Sequence, residues 1–253
     1  MHNFRPKTLF VGNKSIYLPT CQSTNDEAAL LLRQESVAEG TLIVTDYQTA
    51  GRGQRGNQWL SQPAENLTFS LILKPSFLIA SEQFCLNVAV SLGVFDGLEP
   101  LLGDGLKIKW PNDLYFKNQK LGGILIENNL QGSRLETSIV GIGLNVNQIN
   151  FENLNATSLR CINGKTTELP ELLGELLIKL EENYLLLRNG HYNRLKMRYL
   201  HNLFRYQEQN LFQDAQQRTF AGTIMGINET GKLAINSQNK LHYFDFKEIS
   251  YVI

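Results

Sequence analysis

Thr41-Leu-Ile-Val-Thr-Asp-Tyr-Gln-Thr-Ala-Gly-Arg-Gly-Gln-Arg-Gly-Asn-Gln-Trp59 runs from a β-rich segment into a loop that holds three glycines and two arginines in six positions. Glycines let bare backbone N–H groups approach an anion, and arginine forks match carboxylate or phosphate oxygens. The spacing Gly51-x-Gly53-x-x-Gly56 also matches a dinucleotide-binding fingerprint. That fingerprint requires a helix starting at the glycines and an acidic residue about 20 positions later. Here Asn57-Gln-Trp-Leu-Ser-Gln-Pro63 leads instead into a second strand, Asn66-Leu-Thr-Phe-Ser-Leu-Ile-Leu73, which leaves no room for a crossover helix. No Gly-Lys-Ser/Thr closes the run, so a phosphate-binding P-loop is excluded as well. A solvated surface loop would account for the charges but not for the alternating glycines. The expectation is a loop that folds over an anionic ligand.

The rest of the chain is read as what builds the pocket beneath that loop. Its 253 residues suffice for one large domain or for a large and a small one. Lys+Arg and Asp+Glu number 24 each, so no global field recruits nucleic acid or an anionic membrane. The N-terminus has no signal-like apolar core and no 18-residue uninterrupted apolar stretch occurs, so a cytoplasmic protein is expected. Cys21, Cys85 and Cys161 have neither zinc nor disulfide spacing, and the four histidines lie away from the glycine loop. Metal or histidine-based chemistry therefore has little support.

Residues 1–20 read as a short strand region. Thr24 with Glu27 reads as a capping box opening a helix, whose free N–H groups could equally make Ser23, Thr24 and Asn25 ligand contacts. Strands are expected at 41–47 and 67–73, a helix at 82–97, and a strand at 106–110 ending in Pro111-Asn112-Asp113. A hairpin turning at Lys117-Asn-Gln119 leads into Lys120-Leu-Gly-Gly-Ile-Leu-Ile-Glu127. After Gln131-Gly132, a strand is expected from Leu135 to Asn147, then a long loop over 148–167. A leucine stripe from Leu169 to Leu187 marks an amphipathic helix, and another covers 191–203. Beyond Arg205 short β segments and tight turns predict a small barrel, which divides the chain into domains 1–204 and 205–253.

Four blocks then line up. Ser23-Thr-Asn25, Gln48-Thr-Ala-Gly-Arg-Gly53, Lys109-Trp-Pro-Asn-Asp-Leu114 with Lys120-Leu-Gly-Gly-Ile124, and Gly141-Ile-Gly-Leu-Asn-Val146 together resemble the biotin protein ligases. The likeness covers essentially the whole chain and is to the monofunctional type, without the helix-turn-helix domain of the ligase/repressors. It implies an α+β fold: a mixed, mainly antiparallel sheet with helices, similar to class II aminoacyl-tRNA synthetases, plus a small C-terminal SH3-like β-barrel. It implies ATP and biotin as substrates with Mg²⁺, and a biotin carboxyl carrier domain as partner. No nucleic acid or membrane partner is implied, and either a monomer or a homodimer is compatible.

Carried over residue by residue, the resemblance puts Ser23, Thr24, Asn25 and Gln48 around the biotin ring. Arg52, Gly53 and Gln54 fall in the loop over the biotin carboxylate, and Lys120 at the carboxylate/phosphate junction; Lys120 and Arg52 are the catalytic candidates. Arg55, Asn112, Asp113 and Asn145 fall on the nucleotide side, with Asp113 the candidate magnesium ligand and the one candidate base for the acceptor lysine. Gln54 departs from the pattern, which has arginine there, and Arg55 is next to it. Lys120 as a solvated hairpin charge, Asp113 as a turn residue, and Trp59 and Trp110 as packing anchors are the structural alternatives. A lipoate or octanoyl ligase or transferase of the same fold, or a non-catalytic regulator binding the adenylate, are the functional ones.

Overall fold

The computed structural model describes residues 6–34, 36–152 and 154–252. Strand β1 (Ser15–Cys21) pairs in parallel with β2 (Thr41–Gln48), and helix α1 (Thr24–Gln34) makes the crossover between them. Every later pairing is antiparallel: β3 (Leu67–Leu73), β4 (Leu106–Lys109), β5 (Asp113–Phe116), β6 (Gln119–Gln131) and β7 (Arg134–Leu144). They complete a seven-stranded sheet in the order β1-β2-β3-β7-β6-β5-β4. The strand region expected over 1–20 thus reduces to β1; residues 1–5 lie outside the described residues.

All seven residues of β3 are buried, because the strand is covered on both faces. Leu67, Phe69, Leu71 and Leu73 join the main core, which also takes in α2 (Gln83–Leu102) and α4 (Leu169–Arg188). On the opposite face Ile72 packs with Ala28 of α1, Val37, Ile43 and Ile139. The Ala80–Gly105 segment is long and apolar enough to span a bilayer by composition, yet 67% of its 18-residue apolar window is buried within the protein. It is a core helix, and it continues past the expected 97 through Pro100 to Leu102.

Three expectations need correction. The capping box at Thr24 and Glu27 does not form: the Glu27 N–H is taken by the Ser23 carbonyl at 3.1 Å. Thr24 is instead the first residue of α1, and its N–H is satisfied from outside by the Gln48 side chain at 2.7 Å. The strand expected to reach Asn147 ends at Leu144. The 148–167 stretch holds a short helix, α3 (Leu159–Asn163), which the Ser158 hydroxyl caps by accepting the Cys161 N–H at 3.1 Å. Five residues, Leu-Arg-Cys-Ile-Asn, are too few to show a helical apolar period, which is why the sequence did not announce it.

After α5 (Tyr192–His201) come β8 (Gln209–Asp214), β9 (Thr219–Ile227), β10 (Leu233–Ser237), β11 (Lys240–Phe244) and β12 (Ile249–Tyr251). They form a five-stranded sheet in the order β11-β10-β9-β8-β12. Its Phe212, Ile224, Leu233, Ile235 and Ile249 belong to the same apolar cluster as the seven-stranded sheet. Polar contacts join the two sheets as well. The buried Trp110 indole N–H donates to the Gly231 carbonyl at 2.9 Å. The Lys109 ammonium donates to the Tyr115 hydroxyl at 3.0 Å and lies 5.0 Å from the Tyr251 ring centre.

Candidate active site

The N-terminus of α1, the glycine loop, β3, β7 and the β5–β6 hairpin converge on one cavity of about 110 Å³. Ser23, Thr24, Asn25, Gln48, Arg52, Gly53, Gln54, Asn112, Asp113 and Lys120, far apart in the chain, all line it. Two candidate positions stand apart: Asn145 is not among the lining residues, and the Arg55 side chain lies outside the described residues.

The α1 side of the cavity is a connected polar network. Gln48 Oε1 accepts from the Thr24 N–H at 2.7 Å and lies 3.1 Å from its hydroxyl. The Ser70 hydroxyl lies 2.8 Å from the Thr24 hydroxyl and donates to Asn25 Oδ1 at 2.6 Å. Asn25 Nδ2 donates to Glu127 Oε2 at 2.7 Å. Ser23, Thr24, Asn25, Gln48 and Ser70 are all buried, so the site holds preorganised donors and acceptors away from bulk water.

The floor is built from glycine. A Cβ on Gly141 would sit 2.3 Å from Asn25 Oδ1, and one on Gly143 would sit 2.3 Å from the Trp59 ring. Both face the cavity two residues apart on β7, as the period of a strand requires. Trp59 is therefore more than a loop exit anchor: its indole covers the floor, and its buried N–H has no partner among the described residues.

At the hairpin, Lys120 Nζ pairs with Asp113 Oδ1 at 2.8 Å. The backbone of Lys120 is clasped by the following loop: its N–H donates to the Asn155 carbonyl at 3.1 Å, and its carbonyl accepts from Thr157 N–H at 2.9 Å. Asn145 secures that loop by donating its amide to the Thr157 carbonyl at 3.0 Å. The Asn112 amide is spent on the Ile124 carbonyl, which fixes the start of the hairpin. Asn112 and Asn145 thus hold the backbone around Asp113 and Lys120.

The glycine loop is itself a small hairpin, closed by Gly53 N–H to Asn57 carbonyl at 2.7 Å and Trp59 N–H to Gly51 carbonyl at 2.9 Å. Arg52 grips Glu127 with two hydrogen bonds of 2.9 and 2.8 Å and pairs with Asp26 at 2.8 Å. Those bonds, Glu127's foremost, outweigh partial burial and raise the pKa of the guanidinium above its usual value. Gln54 Oε1 is buried with no partner among the described residues.

Asp26, Thr68, Ser70, Glu127 and Phe246 also take part in the site, outside the four sequence blocks. Thr68 and Ser70 were signalled as the polar half of the alternating 67–73 strand, and Glu127 as the one acid closing an apolar run. Phe246 reaches the cavity from the second sheet, and no local pattern signals that.

The sequence model of the Biotin/lipoate A/B protein ligase family matches residues 17–145. The bifunctional ligase/repressor BirA of Bacillus spizizenii is 32% identical over 245 residues, covering 93% of this chain and 73% of its own length. A biotin–[acetyl-CoA-carboxylase] ligase of Paracoccus denitrificans is 35% identical over 132 residues, 51% of this chain and 53% of its own. Among solved structures, the biotin protein ligase of Aquifex aeolicus in complex with biotin and ATP superposes with a TM-score of 0.77 at 30% identity. The superposition covers 94% of this chain and 97% of that one. The chain belongs to the biotin/lipoate A/B protein ligase family, and within it to the biotin protein ligases.

Proposed function

We propose that the protein activates biotin with ATP to biotinyl-5′-adenylate and transfers the biotinyl group to a lysine of a biotin carboxyl carrier domain. The observation that carries this reading is the cavity itself. It joins a buried amide and hydroxyl network, suited to a ureido ring, to a lysine–aspartate pair suited to an anionic junction.

In the first step a biotin carboxylate oxygen attacks the α-phosphorus of ATP and pyrophosphate leaves. Two anions must meet, so fixed positive charge is the first requirement. Lys120 supplies it. No group of three or more His, Cys, Asp or Glu among the described residues could hold a metal alone. Magnesium commonly binds through one or two carboxylates together with substrate phosphates. A magnesium ion would be held mainly by the ATP phosphates, with Asp113, the carboxylate lining the cavity, the residue that would help hold it and neutralise their charge. In the second step the carrier lysine's neutral amine attacks the mixed anhydride carbonyl and AMP leaves; no nucleophilic side chain of the enzyme is needed. Gln48 and the network of Thr24, Asn25 and Ser70 hold the ring, while Trp59 shields it from water.

The test is to incubate the protein with biotin, Mg–ATP and a purified carrier domain. One biotinyl group on the acceptor lysine is expected by mass spectrometry, and none on a carrier with that lysine replaced by arginine. No modification of the intact carrier would contradict the reading.

A further inference from the structure

Glu127 lies at the end of the apolar run of β6 and meets two parts of the site at once. Oε1 accepts from Arg52 Nη1 at 2.9 Å, while Oε2 accepts from Arg52 Nη2 at 2.8 Å and from Asn25 Nδ2 at 2.7 Å. A carboxylate can only accept, so this contact sets the orientation of the Asn25 amide: its NH₂ toward Glu127, its oxygen toward the Ser70 hydroxyl. The one Ser70 proton is then used on Asn25, so at 2.8 Å Ser70 accepts from the Thr24 hydroxyl, and Gln48 Oε1 keeps the Thr24 N–H at 2.7 Å. On the other side, Arg52 already faces two carboxylates, Glu127 and Asp26. To meet an anionic ligand, its guanidinium would have to break a two-pronged contact of good geometry. The pair is 41% and 38% exposed, so water screens it and it adds little to global stability. Its consequence is local: it ties the glycine loop to β6 and α1.

We propose that Glu127 is the positioning residue of this site: through Arg52 it latches the glycine loop shut, and through Asn25 it sets the hydrogen-bond polarity of the biotin pocket. Arg52 then serves as the latch arm, and Lys120 carries the charge at the carboxylate/phosphate junction. The inference rests on the biotin-ligase reading of the cavity.

Two measurements on wild type, E127Q, R52Q and the double variant test it. In pyrophosphate release, E127Q and R52Q should each raise KM for biotin by about tenfold, the loss of roughly one charge-assisted hydrogen bond, with kcat changed less than about twofold. The double variant should be no worse than the more affected single one, because both remove the same contact. E127D, which keeps the charge, should recover part of the loss. A silent E127Q beside an R52Q that lowers kcat would overturn the proposal, as would effects that multiply in the double variant. The second measurement needs no activity: trypsin should cut the glycine loop of unliganded E127Q faster than that of wild type, and an equal rate would overturn the latch. Wild type that releases no pyrophosphate would instead count against the reading of function, which the proteolysis result leaves separate.

Discussion

At the scale of single residues, the site divides into groups that face the ligand and groups that hold them. Lys120 faces it, with its backbone clasped at both ends by residues 155–157 and its ammonium on Asp113. Replacing it with alanine should lower the rate of pyrophosphate release by about 10²-fold, the scale for losing one preorganised electrostatic contact, while the melting temperature stays near wild type. An unchanged rate in the folded variant would remove Lys120 from the chemistry. Gln54 stands where the resemblance leads one to expect arginine, and its buried amide oxygen has no partner among the described residues. A charged side chain should hold an adenylate more firmly than a neutral one. Q54R is therefore expected to reduce biotin labelling of a bystander protein that has no carrier domain. Equal labelling by both forms would mean that the position does not retain the intermediate.

At the scale of elements, what was legible in the sequence was what local chemistry announces. The alternation of 67–73, the hairpin around Lys117-Asn-Gln119 and the leucine stripe of α4 depend on residues within one or two turns. The start of α1 was legible, but its cap was not, because Gln48 supplies the bond from 24 residues away. The same limit hid Glu127: an acid closing the apolar run of β6 is unremarkable until the fold brings Arg52 and Asn25 to it. Gly141 and Gly143 were legible as a motif, while their reason, room for Asn25 and the Trp59 indole, is tertiary. That reason can be tested. G143A puts a methyl 2.3 Å from the indole ring, which must move off the floor. Overpacking of this kind costs about 1–3 kcal/mol, so biotin affinity measured by calorimetry should fall on the order of tenfold or more. Wild-type affinity would show that Trp59 does not cover the ligand.

At the scale of the whole molecule, the second sheet is part of the site's construction. Phe246 lines the cavity, Trp110 bonds Gly231, and Lys109 is enclosed by Tyr115 and Tyr251. Burial lowers the Lys109 pKa from 10.5 to about 8, with Asp113 opposing and Lys120 and Arg205 adding to the shift. Between those values the unfolded chain holds the extra proton, so stability rises with pH there, and the cost of keeping the charge is complete below the folded value. K109M should accordingly raise the melting temperature near pH 7, and the gain should shrink as pH approaches the unfolded value. A gain that does not vary with pH would rule out charge burial as its cause. The central claim, that this assembled cavity activates biotin, is tested most directly by pyrophosphate release from Mg–ATP with no carrier present, comparing biotin with lipoate and octanoate. Release with biotin alone is the predicted result; release with lipoate or octanoate but not biotin, or none with any of the three, would contradict it.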